Sequence, residues 1–146
     1  MELLDYLKKH GIEFTESNGR INVGDSLYLS GTQITALPEN LSVGGSLDLS
    51  GTQITALPEN LSVGGSLDLH EKTQNAAFKK NCGRQNRTIF AAWVNGEIQI
   101  GAGCFLGSIA TFCEAVDESY KGEAADKYKA DAQDCVDRLV AILNKE

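Results

Sequence analysis

No apolar run in the sequence approaches the roughly 18 residues that a transmembrane helix needs, so no membrane span is expected. Met1-Glu2-Leu3-Leu4-Asp5 also lacks the basic region and apolar stretch of a Sec signal peptide. Positive charge is scarce: 13 Lys and Arg stand against 20 Asp and Glu, a formal charge of -7. Nucleic acid is therefore an unexpected partner, because phosphate contacts need a basic surface. There are only 2 histidines, His10 and His70, and neither has a nucleophile or metal ligand as an obvious sequence partner. The 4 cysteines (Cys82, Cys104, Cys113, Cys135) contain no C-x-x-C pair and lie far apart, whereas zinc asks for closely organised ligands. No metal and no cofactor is expected. The thiols read as reduced and mostly buried in a cytoplasmic protein, with a disulfide or a metal as the competing reading. What remains is ordinary globular composition, 42% hydrophobic and 23% charged, enough for one compact unit or two small ones.

The strongest positive signal is self-similarity. Residues 31–50 and 51–70 differ only at Ser50 and His70, so 19 of 20 positions are identical. The match reaches upstream, where Ser26-Leu27-Tyr28-Leu29 corresponds to Ser46-Leu47-Asp48-Leu49 and Ser66-Leu67-Asp68-Leu69. Such near-identity implies recent duplication. Within a unit, Leu47-x-Leu49 alternates as a short strand does, and Thr52, Ile54 and Leu57-Pro58 follow at turn spacing. Gly44-Gly45 and Pro58 punctuate the connections. A unit this short has too few apolar residues to bury a core alone, so copies must stack.

The pattern L-x-L-x-x-T-x-I-x-x-L-P resembles the short leucine-rich repeat of bacterial LPX-type proteins, over about residues 21–70. Short repeat proteins carried by enterobacterial phages and prophages look similar in the same stretch. The resemblance implies a parallel sheet on a concave face with extended segments behind it. Two departures are evident. Thr32 and Thr52 stand where the family usually has asparagine, and Gly44 and Gly64 stand at its first apolar position.

The flanks read as caps. Leu3, Leu4 and Leu7 have helical spacing before Gly11, and Asn18-Gly19 joins two alternating runs as a hairpin. The repeat is expected to fail after Leu69. A C-terminal unit then follows: a short helix over 74–82, a hairpin across Asn95-Gly96, a helix capped by Ser108, and a longer helix over about 123–144 with Tyr128, Ala132, Cys135, Leu139 and Ile142-Leu143 on one face. The expected fold is α+β: an N-terminal helix–hairpin cap (1–23), a short solenoid of about 2.5 leucine-rich repeats (24–70) and a C-terminal α+β unit (71–146).

If the repeat leucines point inward, their neighbours Tyr28, Ser30, Asp48, Ser50, Asp68 and His70 form a partner-binding face. Lys79, Lys80, Arg84 and Arg87 form a basic run that would meet an acidic partner, unless acidic neighbours of the same chain neutralise it. The glycines of residues 101–107 fall between a strand and a helix, where a phosphate loop belongs, but a bulge or tight turn explains them more cheaply. Cys135-Val136-Asp137 is a C-x-D triplet such as LPX effectors with a ubiquitin ligase domain use, but that domain is far longer, and Cys135 falls on the apolar face of a helix, where a thiol is usually inert.

The favoured reading is a non-enzymatic protein-binding module, active in the bacterial cytoplasm or in the host cytoplasm during phage infection. The resemblance implies a bacterial host protein as partner, and inhibition of a defence system as the effect. The alternative is a small-molecule-binding, nucleotide-binding or enzymatic C-terminal unit with the repeats as spacer. Exposed sheet edges leave a homo-oligomer open.

Overall fold

The computed structural model describes residues 3–84 and 86–144 and is mixed α+β. The chain divides into two compact units, Met1–Gln74 with Val94–Gly96, and Asn75–Trp93 with Glu97–Glu146.

In the first unit α1 (Leu3–Lys9) buries Leu3 and Leu7, and it stops where Gly11 turns to a φ of 64°. β1 (Phe14–Ser17) and β2 (Arg20–Val23) pair antiparallel across Asn18-Gly19. Both turn residues have positive φ, 53° and 78°, as a type I′ turn requires. Five short strands follow: β3 (Leu27–Tyr28), β4 (Leu41–Val43), β5 (Leu47–Asp48), β6 (Ser62–Val63) and β7 (Leu67–Asp68). They sort into two sheets, β1-β2-β4-β6 and β3-β5-β7. Apart from the hairpin, the pairing is parallel and its register has a 20-residue step, with Val23, Val43 and Val63 in one row and Leu27, Leu47 and Leu67 in another. The duplicated sequence thus bonds equal position to equal position. Leu27, Leu29, Ile34, Leu41, Leu47, Leu49, Ile54, Leu61 and Leu67 fill the interior almost without exposure.

Two features of the 20-residue unit account for the glycines Gly44 and Gly64 and the threonines Thr32 and Thr52. Gly44 and Gly64 stand where successive backbones touch. A Cβ on Gly44 would lie 2.6 Å from the Gly24 carbonyl oxygen, and one on Gly64 would strike the Gly44 oxygen. No larger residue fits there. The threonines serve the turn that follows: the Thr32 and Thr52 hydroxyls donate to the Leu29 and Leu49 carbonyls at 2.7 Å. Thr73 does the same to His70 at 2.7 Å. A turn bond of the same kind thus recurs one residue late after Leu69, and the first compact unit runs to Gln74. A serine ladder runs alongside, in which Ser26 Oγ accepts the Ser46 N–H at 2.9 Å and Ser46 Oγ accepts the Ser66 N–H at 3.0 Å.

The outer edge of β6 is closed by Asn95. Its backbone N–H donates to Leu61 O at 2.9 Å, its Oδ1 accepts the Val63 N–H at 2.7 Å, and its Nδ2 donates to Val63 O at 3.1 Å. One asparagine stands in for the next strand and removes an open edge.

The second unit is a four-stranded antiparallel sheet with two helices packed on it. In chain order these are β8 (Ala76–Cys82), β9 (Arg87–Val94), β10 (Glu97–Ala102), β11 (Phe105–Gly107), α2 (Ile109–Ser119) and α3 (Gly122–Leu143), with sheet order β11-β10-β9-β8. The short helix read over residues 74–82 is corrected to the strand β8. Alanines and lysines favour a helix locally, but pairing with β9, which sets Ala77 opposite Ala91 and Phe78 opposite Phe90, outweighs that preference. Ile89, Ala91, Ile100 and Ala102 of the sheet meet Phe112, Val116, Tyr128, Ala132, Cys135 and Leu139 of the helices. Ser108 caps α2 as read, accepting the Thr111 N–H at 3.2 Å. The apolar face of α3 runs on to Leu143, which packs half-buried against the same core, whereas Ile142 is 37% exposed rather than buried. Among the described residues no helix is long and apolar enough to cross a membrane.

Candidate functional site

The alternation read in the repeats places one row of side chains on the outside of β3, β5 and β7. Leu27, Leu47 and Leu67 point in, so Tyr28, Asp48 and Asp68 point out, in register. Parallel strands stand about 4.8 Å apart, so the two carboxylates are close neighbours. Tyr28 begins the row and is 64% exposed, the most exposed large hydrophobic side chain described. Partial burial, and then the charge of Asp48, push the Asp68 carboxyl above its ordinary value. A cation laid along the row would offset the second of these causes.

The remaining residues of this face sit just past the strands. Ser50 is tied to Asp48, its N–H donating at 3.0 Å and its hydroxyl at 2.6 Å to the same Oδ1. Ser30 is exposed next to the Gly51 turn. His70 is half-buried and its Nδ1 accepts the Lys72 N–H at 3.1 Å, which makes it part of the turn rather than of an open surface. The face is thus an aromatic ring and two acids on a rigid ladder, with Ser30, Ser50 and His70 at its margin.

The basic run does not form one patch. Lys79 lies 3.4 Å from both Asp131 and Asp134 of α3. Lys80 falls on the opposite side of β8 by strand alternation and is exposed. The Arg84 guanidinium lies 4.1 Å over the Tyr120 ring and donates to Ser119 O. Arg87 Nη1 donates to Ala102 O at 3.2 Å. Partners 15 to 55 positions away in sequence draw Lys79 to one place and Arg84 and Arg87 to another, and Lys80 belongs to neither. Sequence reasoning missed the aromatic residues that gather the arginines.

Asp131 is the buried anchor of the first place. It receives Lys127 at 3.0 Å and Lys79 at 3.4 Å. Burial alone would raise its carboxyl, but Lys127, the Cys82 thiol and Lys79 outweigh it and hold the group below the usual carboxylate range. A carboxyl with a depressed folded-state pKa stabilises the fold fully above its unfolded value near 4, and loses that contribution as pH falls from there through the folded value. Asp131→Asn is therefore expected to lower stability by about 1–2 kcal/mol at pH 7. The deficit should shrink as the pH drops below about 4, and urea unfolding of both proteins at pH 7 and pH 3 measures it. An equal deficit at both values would show that the charge plays no part.

All 4 cysteines are free; Cys82 and Cys135 are buried, Cys113 is half-buried and Cys104 is exposed. Burial pushes the Cys82 thiol up to about 11, and it raises Cys135 as well. A C-x-D nucleophile needs the opposite shift, so Cys135 does not have the setting of one. The glycines of residues 101–107 are accounted for by packing and turning. The Gly101 position is filled by the Phe90 ring, and Gly103 opens a two-residue turn between β10 and β11. Among the described residues no group of three His, Cys, Asp or Glu side chains is placed to hold a metal ion.

Comparison with known protein families, with characterised proteins and with solved structures gives no match for this chain.

Proposed function

We propose that the chain is a short leucine-rich-repeat protein of the LPX-type pattern, and that it binds a protein through the row Tyr28, Asp48, Asp68. The observation that carries this reading is the row itself: an exposed aromatic ring and two neighbouring carboxylates fixed by parallel pairing at a 20-residue step. A rigid, evenly spaced array loses little freedom on binding. Tyrosine supplies the contact area that binding surfaces favour, and the acids select a basic strip on the partner. The resemblance to phage and prophage repeat proteins gives that partner as a bacterial host protein in the cytoplasm, with inhibition of a defence system as the consequence. The runner-up reading, a ligand-binding or enzymatic second unit with the repeats as spacer, draws on one observation, a cavity between Arg84, Arg87 and two tyrosines.

The test is a tagged capture from bacterial lysate with the full chain and with the double variant Asp48→Lys, Asp68→Lys. Both positions are on the outer side of two-residue strands, so the fold should persist, and circular dichroism checks this. Capture by the native chain at near-physiological salt and loss of at least tenfold in the variant is the expected result. A partner retained undiminished by the variant places the interface elsewhere. No captured protein at all counts against the protein-binding reading.

A further inference from the structure

The second unit holds a cavity of about 360 Å³ lined by Arg84 and Arg87 together with Phe105, Phe112, Tyr120 and Tyr128. Its floor is a chain of edge-to-face rings. Phe105 meets Phe112 at 5.5 Å, Phe112 meets Tyr128 at 5.0 Å, and Tyr128 meets Tyr120 at 5.1 Å between centroids. Its charge comes from Arg84, in the loop after β8, and from Arg87, the first residue of β9. The Arg84 backbone N–H donates to Tyr120 Oη at 3.0 Å, and that bond, with the Arg84 and Arg87 guanidiniums behind it, holds the Tyr120 hydroxyl below the usual tyrosine value.

Two glycines make the room. Gly83, at a φ of 73°, lets the Tyr120 hydroxyl and the Tyr128 ring reach the backbone; a Cβ there would stand 2.8 Å from the first and 3.1 Å from the second. Gly103 leaves the space that the Arg87 guanidinium occupies. The described lining residues include two guanidiniums and two phenols and no carboxylate. A larger hollow of about 910 Å³ beside β1 and β2 has the opposite character, with Glu13 and Asp25 and no cation among its described lining residues.

We propose that the Arg84–Tyr120 cavity binds a small oxyanion attached to a flat ring, the oxyanion on the guanidiniums and the ring against the aromatic floor. The volume lies near the lower limit, about 300 Å³, for small-molecule sites, so the ligand has the size of a mononucleotide or an aromatic acid rather than of a dinucleotide. Arginine forks suit phosphate and carboxylate alike, and flat rings offer the faces that Phe105 and Tyr128 can pack against. This site is independent of the repeat face, and Asp48→Lys with Asp68→Lys leaves it intact.

The experiment is isothermal titration of the full chain with the four nucleoside monophosphates, benzoate, adenosine and inorganic phosphate. A nucleoside monophosphate or benzoate should bind at least tenfold more tightly than adenosine and inorganic phosphate, and which of the two binds distinguishes phosphate from carboxylate. Arg84→Gln should weaken that binding at least tenfold, and Arg84→Lys less. Ala115→Phe, which fills the cavity from α2, should abolish it even if Arg84→Gln fails to fold. Lack of binding by every ring-bearing oxyanion overturns the proposal. So does adenosine binding as well as its monophosphate, or affinity unchanged in Ala115→Phe.

Discussion

Gly44→Ala and Gly64→Ala each unfold at lower denaturant than the native chain, by about 3 kcal/mol, while Gly24→Ala is neutral or slightly stabilising. The three glycines are the same position at successive 20-residue steps, yet only two have a strand stacked behind them. A Cβ at Gly24 meets nothing within 4 Å. At Gly44 it meets the Gly24 carbonyl at 2.6 Å, and at Gly64 it strikes the Gly44 carbonyl. The obstacle is backbone, held in place by the Gly44 N–H to Val23 O bond of 2.7 Å and the Gly64 N–H to Val43 O bond of 2.9 Å. It cannot swing aside as a side chain would. Either the ladder opens locally or the strands separate, and both sacrifice parallel hydrogen bonds, which sets the cost at the upper end of overpacking penalties. Urea melts of the three variants decide the matter. Equal behaviour at all three positions would mean that the glycines serve flexibility rather than close approach.

The second large effect is at Asn95. Asn95→Ala loses two side-chain hydrogen bonds, leaves the Val63 N–H without its acceptor, and sets alanine at a φ of 59°, a left-handed conformation that asparagine tolerates better. Those losses together come to about 3 kcal/mol. Asn95→Gly keeps the positive φ without strain and should recover about 1 kcal/mol of that, because it restores the turn and not the edge. Asn95→Asp separates the two bonds further. It keeps an acceptor for the Val63 N–H but sets a carboxylate oxygen where an amide had donated to the Val63 carbonyl. Thermal unfolding of the three variants, followed by circular dichroism, yields the order native, Gly, Ala, with Asp also below native. Native stability in Asn95→Ala would sink the claim that this residue closes the sheet.

These two sites also mark how far the sequence could be read. The 20-residue step was plain, and it carries directly into the pairing of Leu27, Leu47 and Leu67, because identical units stack most simply in identical register. The Asn-Gly turns were equally plain, since a positive φ at both central residues narrows the choice of side chain. That the Asn95 side chain would reach Val63 was not, because nothing in a turn motif reveals a strand 32 positions earlier. β8 was hidden for a related reason. Ala76 and Ala77 are both buried, so the strand lacks the alternation that identifies a half-exposed one. Within the candidate site, the outward positions Tyr28, Asp48 and Asp68 followed from parity alone. The division of the basic run followed from Tyr120, Asp131 and Asp134, residues whose proximity only the tertiary fold creates.

The register of the repeats has a consequence for growth. Each unit offers on one side what it accepts on the other, so the hairpin strand β2 and the Asn95 turn would greet a stack of three or four copies as they greet this one. Unequal recombination between the two near-identical segments would add or remove whole rungs without a new interface at either end. Every added rung would bring one more aspartate to the outer row. On the proposed binding role, grip on a basic partner would then be set in increments, as on a ratchet, by copy number rather than by point substitution.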